Sequence, residues 1–277
     1  MIPFQVVNDI SQLSGSHSKY ELPSLLMFMV RKRMTGRLTV GADSHVRAIS
    51  IAMGVISSVA STSEDEQFAR RLLANGKITE ADKARAEAAA TTERTRFGAA
   101  MVKLKIVDAV RLSELLAEQH AFVLAQCLNE TNTDTHFDTT VKGLADRSPM
   151  KLLAAIEDAI AGYSRKELNA LGEELSGHRF VSTPSDSELA RNLGASAAML
   201  ALIDRASSPQ DYSALEAIAG KSKSQLLAAI LSGLVRASGE ATVRIFRPTS
   251  AAPGWLMPFA TGLIVGGGLV ELLHRLR

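Results

Sequence analysis

Six histidines and one cysteine are the residues with the first claim to metal or nucleophilic chemistry. His17, His45, His120, His136, His178 and His274 are scattered, with no HxxxH pair and no pattern of partner carboxylates, so neither a zinc site nor a catalytic triad is expected. Cys127 follows Val123 and Leu124 on the apolar side of a predicted helix, where a thiol serves as a small buried hydrophobe rather than a nucleophile. Gly220, Lys221 and Ser222 mimic the end of a phosphate loop, but position 215 is Leu where GxxxxGK[ST] needs Gly, and the match fails. The dense basic run Arg31, Lys32 and Arg33 reads first as a solvated helix end, and second as a surface for an acidic partner or anionic lipid. No catalytic residue, metal or cofactor is therefore expected, and the chain reads as a non-enzyme.

The elements that would position these residues follow from composition and period. The chain has 277 residues, enough for about two compact units. Aromatics make up only 5% against a hydrophobic fraction of 46%, which favours helices packed through Ala and Leu over a β-sandwich. With 31 basic and 29 acidic residues, no general field draws nucleic acid, and such a partner is not expected. The lone cysteine excludes an internal disulfide and points to a reducing compartment.

Residues 21–34 space Leu22, Leu25, Leu26, Met29 and Val30 as an amphipathic helix that stops at Thr35-Gly36. Alternation from Arg37, a turn at 41–44, alternation over 45–52 and a second turn at Met53-Gly54 before 55–60 predict a three-stranded antiparallel meander covered by that helix. Ser63 is the expected N-cap of the next helix, with Glu64, Asp65 and Glu66 in its first turn. Asn75-Gly76 ends it, Ile78 plugs the core and Thr79 caps a further helix through Asp82. The same grammar returns 29 residues later, giving helical repeats at 67–90 and 96–119. Phe68 falls on Phe97, Ala69 on Gly98, Leu72 on Met101 and Ala90 on Gln119. One helical hairpin cannot bury its own face, and a copy beside it supplies the cover.

Residues 131–140 read as a loop or edge strand, and the first unit, 1–145, closes there. A connecting helix from Ser148-Pro149 and a Gly/Ser/Pro-rich linker at 173–187 fill 146–185. Helices at 189–203, 209–219 and 223–235 and a strand at 241–246 then form a winged-helix-like unit, 186–247. Its third helix would read DNA through Lys221, Lys223 and Gln225, a poor phosphate footprint. The fold class is thus α+β and predominantly helical.

From Pro248 to Val270 no side chain is charged, and 253–273 has the ~20 residues that a membrane helix needs. Trp255 would lie at one interface, Phe259 within the span, and Arg275 and Arg277 at the other interface. Gly262 and Gly266 form a GxxxG step through which two copies could pair as a homodimer. The residues around Met1 show no signal peptide. A single-pass C-terminal anchor at the cytoplasmic face of the inner membrane is expected.

Leu22-Pro23-Ser24-Leu25-Leu26, Thr35-Gly36-Arg37-Leu38, Met53-Gly54-Val55-Ile56 and Asn75-Gly76-Lys77-Ile78 make the first ~140 residues resemble the PATAN-type family, domain of unknown function 4388. The resemblance implies a non-enzymatic adaptor in bacterial motility, polarity or signalling that presents a surface to another protein. The repeats alone are similar to the tandem motifs of the cyclic-di-GMP-binding domain of secretion and pilus ATPases, through Arg96-Phe97-Gly98, Met101-Val102, Ile106-Val107, Leu112, Leu116 and Gln119. That similarity implies Arg96, Gly98 and Gln119 as ligand-binding residues, although Gln67, Ala69, Ala90 and Lys105 depart from the motif. A membrane-tethered adaptor with an unidentified protein partner is the leading expectation; a cyclic-di-GMP-responsive module is the rival, and a DNA-binding regulator the third.

Overall fold

The computed structural model describes residues 10–41, 45–141 and 150–238. Strands β1 (Gly15–Ser18), β2 (Gly36–Val40), β3 (Arg47–Ala52), β4 (Val55–Ser61) and β5 (Asn132–Asp138) form an antiparallel sheet in the order β1-β5-β2-β3-β4. The expected meander is present as β2, β3 and β4, with Leu38 opposite Ile49 and Ile49 opposite Val59. The sheet is larger than expected because residues 132–138 are neither loop nor edge. They insert between β1 and β2, with Gly15 opposite Thr135 and Leu38 opposite Phe137. The buried side of β5 is made by Thr133 and Thr135, so its alternation is not written in apolar residues. The Thr135 hydroxyl is satisfied by donating to the Leu13 carbonyl at 2.9 Å.

Helix α1 (Leu22–Arg31) carries Pro23 in its first turn, where the absent N–H costs nothing. Every residue from Leu22 to Val30 is buried, Ser24 included, so the helix has no solvent-facing side over that stretch and is enclosed rather than half-exposed. The repeats follow as α2 (Phe68–Ala74), α3 (Glu80–Glu93), α4 (Phe97–Lys103) and α5 (Ala109–Asn129). Their equivalence extends to the hydrogen bonds. Gly76 N–H donates to Leu73 and Lys77 N–H to Leu72; 29 residues on, Lys105 N–H donates to Val102 and Ile106 N–H to Met101. Thr79 and Asp108, again equivalent, both cap a helix by accepting from the backbone three residues on. Leu72, Ile78, Ala86, Met101 and Leu115 form a small core of their own, closed by Phe68 edge-on to Phe97 at 6.3 Å. The hairpins are an arm whose outer helix, α3, buries only Ala86. Its last member, α5, runs on to lie against β3 and β4, sharing the cover that α1 alone was expected to give.

The cap at Ser63 differs from expectation. Residues Glu64–Glu66 form a single 3-10 turn, α2 starts only at Phe68, and Ser63 makes no side-chain cap. Glu66 is buried instead of facing a helix dipole, because Arg47 inside the fold claims its carboxylate.

The remaining chain gives α6 (Leu152–Ala161), α7 (Arg165–Leu175), β6 (Arg179–Val181), α8 (Pro184–Asn192), α9 (Ala197–Arg205), β7 (Gln210–Asp211), α10 (Tyr212–Ala219), α11 (Lys223–Leu231) and β8 (Arg236–Ala237). A second antiparallel sheet runs β7-β6-β8. The expected linker at 173–187 is corrected to the end of α7, strand β6 and the start of α8. Its Thr183, Pro184 and Asp186 are a capping box with Pro at the first helical position, chemistry whose composition imitates a loop. The connecting helix is a core helix: Leu152, Leu153, Ile156 and Ile160 are buried, and Glu157, expected on a polar face, is buried too and accepts from the Ser196 N–H at 3.0 Å. The helix expected at 189–203 is two, α8 and α9, broken where Gly194 takes φ +79°. Apolar residues from both sheets and from α1, α5, α6 and α11 belong to one continuous core. The strand expected at 241–246 and the anchor at 253–273, with Trp255, Phe259, Gly262, Gly266, Arg275 and Arg277, lie outside the described residues. Among the described residues no helix is long and apolar enough to cross a membrane.

Candidate functional site

The three residues named by the nucleotide-binding resemblance have different fates. Arg96 is exposed at the N-cap of α4. Gly98 faces α5: a Cβ there would come within 3.0 Å of the Leu112 side chain, so its bareness lets two helices of the arm close on each other. Gln119 is buried; its amide donates to the Glu66 carbonyl at 2.6 Å and accepts from Arg71 at 2.9 Å. The Arg71 guanidinium also stacks 3.6 Å from the centre of the Phe122 ring. The fold thus uses Gln119 and Gly98 internally, and of the three Arg96 alone is exposed.

Gln119 belongs to a clasp that fastens the arm to the sheet. Arg47 on β3 grips Glu66 through two parallel bonds of 2.8 and 2.6 Å and reaches Glu130 with its remaining nitrogen. Burial pushes the Glu66 carboxyl up, but hydrogen bonds from Arg47 and Ser61 outweigh it and hold the group below the ordinary carboxylate range. Cys127 lies beside this clasp, buried, and burial pushes its thiol up to about 12, which makes it inert as a nucleophile at neutral pH.

Where the turns of the two hairpins meet, an open groove of about 680 Å³ is lined by Val102, Ile106, Val107 and Leu115, with Lys77, Lys105 and Arg111 at its edge. Asp108 also lines it, but its carboxylate caps α5. Arg111 is drawn partly aside by Glu114 at 2.6 Å. Lys105 stands where the first repeat has Gly76, and both adopt the left-handed backbone, φ +57° and +63°. An L-residue there is strained by ~1–2 kcal/mol. The sequence marks Lys105 as a departure from the motif but does not show that the backbone there keeps a glycine's conformation. Val110, in the adjoining turn of α5, is 72% exposed. The arrangement is an open groove of mixed polar and apolar lining, with the exposed cations Lys77 and Lys105 on its rim.

A second focus is Asp186, 1% exposed. It accepts from the Thr183 N–H at 2.9 Å and hydroxyl at 2.6 Å, from Arg31 at 2.7 Å and from Arg236 at 2.8 Å. Burial raises its pKa, yet these donors prevail and hold it below the usual carboxylate range. Arg31 also donates to the Gly233 carbonyl at 3.0 Å. All three residues of the basic run are exposed, but Arg31 is turned onto the fold by these bonds. A similar tie holds the other end of α1, where Lys19 pairs with Glu167 and lies 4.4 Å from the centre of the Tyr163 ring.

In α11 every residue from Leu226 to Leu231 is buried, and of the three residues expected to read DNA at its start, Lys221 is exposed, Gln225 is half-buried and Lys223 is paired with Glu216 at 2.6 Å. Among the described residues no three His, Cys, Asp or Glu side chains converge as a metal site. No family model matches the chain, and no similar curated protein or solved structure was found.

Proposed function

We propose that this chain is a non-enzymatic bacterial adaptor, held at the cytoplasmic face of the inner membrane by residues 253–273, that offers the groove of its helical arm to a motility, polarity or signalling protein. The groove carries the reading. Its mixed lining, with Val102, Ile106 and Val107 beside the rim cations Lys77 and Lys105, suits an amphipathic, acidic segment of a partner protein. Lys105 keeps a cation on that rim at the cost of backbone strain, which is expected of a residue selected for contact rather than folding. The uncharged run from Pro248 to Val270 supports the tether, and the GxxxG step at Gly262 and Gly266 would let two copies pair in the bilayer as a homodimer. The resemblance to the PATAN-type family points to the same class of activity. A photo-reactive residue at position 110 of the full chain tests the groove in the bacterial cell. The reading expects discrete crosslinks to a protein, abolished by Lys77→Glu with Lys105→Glu; crosslinks indifferent to those reversals contradict it.

A further inference from the structure

Met53 and Gly54 are the whole connection between β3 and β4, with Ala52 paired to Val55 across them. Both have positive φ, 49° and 81°, as a type I′ turn requires, and such a turn favours Asn, Asp or Gly at its first position. Met53 instead puts a long apolar side chain there, 64% exposed, next to Val55, 43% exposed. A residue that strains its backbone and leaves its side chain in water contributes nothing to the fold, so its use lies outside the fold.

The turn is fastened to the end of α1. Gly54 N–H donates to the Met34 carbonyl at 2.8 Å and Met53 N–H to the Thr35 hydroxyl at 2.9 Å. A Cβ on Gly54 would lie 2.9 Å from the Arg33 Cα. The turn therefore adjoins Arg33, with Lys32 one residue before it and its ammonium 5.8 Å from the centre of the Phe28 ring; both cations are exposed. The described chain ends at Ser238, two residues past Arg236, whose guanidinium shares the Asp186 carboxylate with Arg31. The path to the apolar segment thus starts beside the same end of α1.

We propose that Met53, Val55, Lys32 and Arg33 form a docking face for an anionic bilayer surface, the apolar pair entering the headgroup boundary and the two cations meeting lipid phosphates and carboxylates. This rests on the membrane tether proposed above: the anchor brings the bilayer near, and the face lays the folded part against it. A two-residue turn has no groove with which to grip a peptide, whereas a fluid bilayer closes around an exposed tip.

The full chain permits a test in which the two claims fail separately. Trp255 is the single tryptophan and reports the anchor. Met53→Cys can carry the one environment-sensitive label, since the native thiol of Cys127 is buried and unreactive. With phosphatidylcholine vesicles, Trp255 emission should shift to the blue and the probe at position 53 should not. With vesicles containing phosphatidylserine, both should shift, and Lys32→Ala with Arg33→Ala should lower the docked-to-free ratio about thirtyfold, at ~1 kcal/mol for each cation. A Trp255 shift with a probe still in water on phosphatidylserine overturns the docking face and leaves the tether, the outcome expected if the face meets an acidic protein instead. An equal probe shift on both vesicles also overturns it, because charge then plays no part. A silent Trp255 on every vesicle refutes the tether, and the probe's response to phosphatidylserine then decides the face alone.

Discussion

Asp186→Asn is the substitution whose cost can be argued most fully. The carboxylate is 1% exposed and takes four donors, two from Thr183 and one each from Arg31 and Arg236. An amide keeps one accepting oxygen and turns an NH2 group toward donors that already lack a partner. The two guanidinium groups lose their counter-charge but keep 30% and 41% of their side chains in water, and Arg31 keeps the Gly233 carbonyl. The cost is therefore that of a weakened set of charge-assisted hydrogen bonds, ~1–3 kcal/mol. In a cooperative body of this size, each kcal/mol moves the melting midpoint ~2–4 °C, so thermal unfolding should fall by roughly 2–12 °C. The pH dependence carries the same sign. The native pKa of Asp186 is lowered, so its contribution is present in full above the unfolded value of about 3.9 and fades as pH falls through the lower native value. The gap between parent and variant should hold at neutral pH and close in acid. Circular-dichroism melts at neutral and acid pH measure both, and a neutral-pH loss below about 1 kcal/mol would refute the claim that Asp186 locks α1 to the C-terminal half.

Other outcomes follow from the strained and buried positions. Lys105→Gly should raise stability by ~0.5–1 kcal/mol in denaturant melts, the left-handed strain relieved exceeding glycine's extra chain entropy, while partner crosslinking from the arm weakens. Met53→Asn should likewise stabilise the fold by ~0.5–1 kcal/mol, because Asn suits the turn, and should remove the blue shift of a probe placed at Val55 on phosphatidylserine vesicles. Gln119→Ala strands Arg71 and the Glu66 carbonyl and should cost ~1–3 kcal/mol. Calorimetry with cyclic di-GMP should give no heat at high micromolar concentration; saturable heat lost in Arg96→Ala would instead favour the rival module.

The arm was legible because its signals are local. Asn75-Gly76, the Thr79 cap and the register of Phe68 on Phe97 specify two hairpins without reference to the rest of the chain. Strand β5 was not, since threonine hydroxyls rather than apolar side chains fill its buried face. The supposed linker failed for a related reason: Thr183, Pro184 and Asp186 are cap residues, and a cap has the composition of a loop. Residues such as Glu66, Glu157 and Gln119 look solvated in one dimension, and only long-range partners reveal them as buried. For the candidate site, the positions of Arg96 and Lys105 were readable. The groove and the exposure of Met53 were not, because both arise where separate segments meet.

The most direct test of the account is flotation of the purified full chain with phosphatidylcholine vesicles, beside the same chain lacking residues 253–277. The full chain should rise with the lipid and withstand an alkaline wash, and the shortened chain should stay at the bottom of the gradient. A full chain left behind with the soluble fraction, or a shortened chain that floats equally well on neutral lipid, would contradict a tether at the apolar segment.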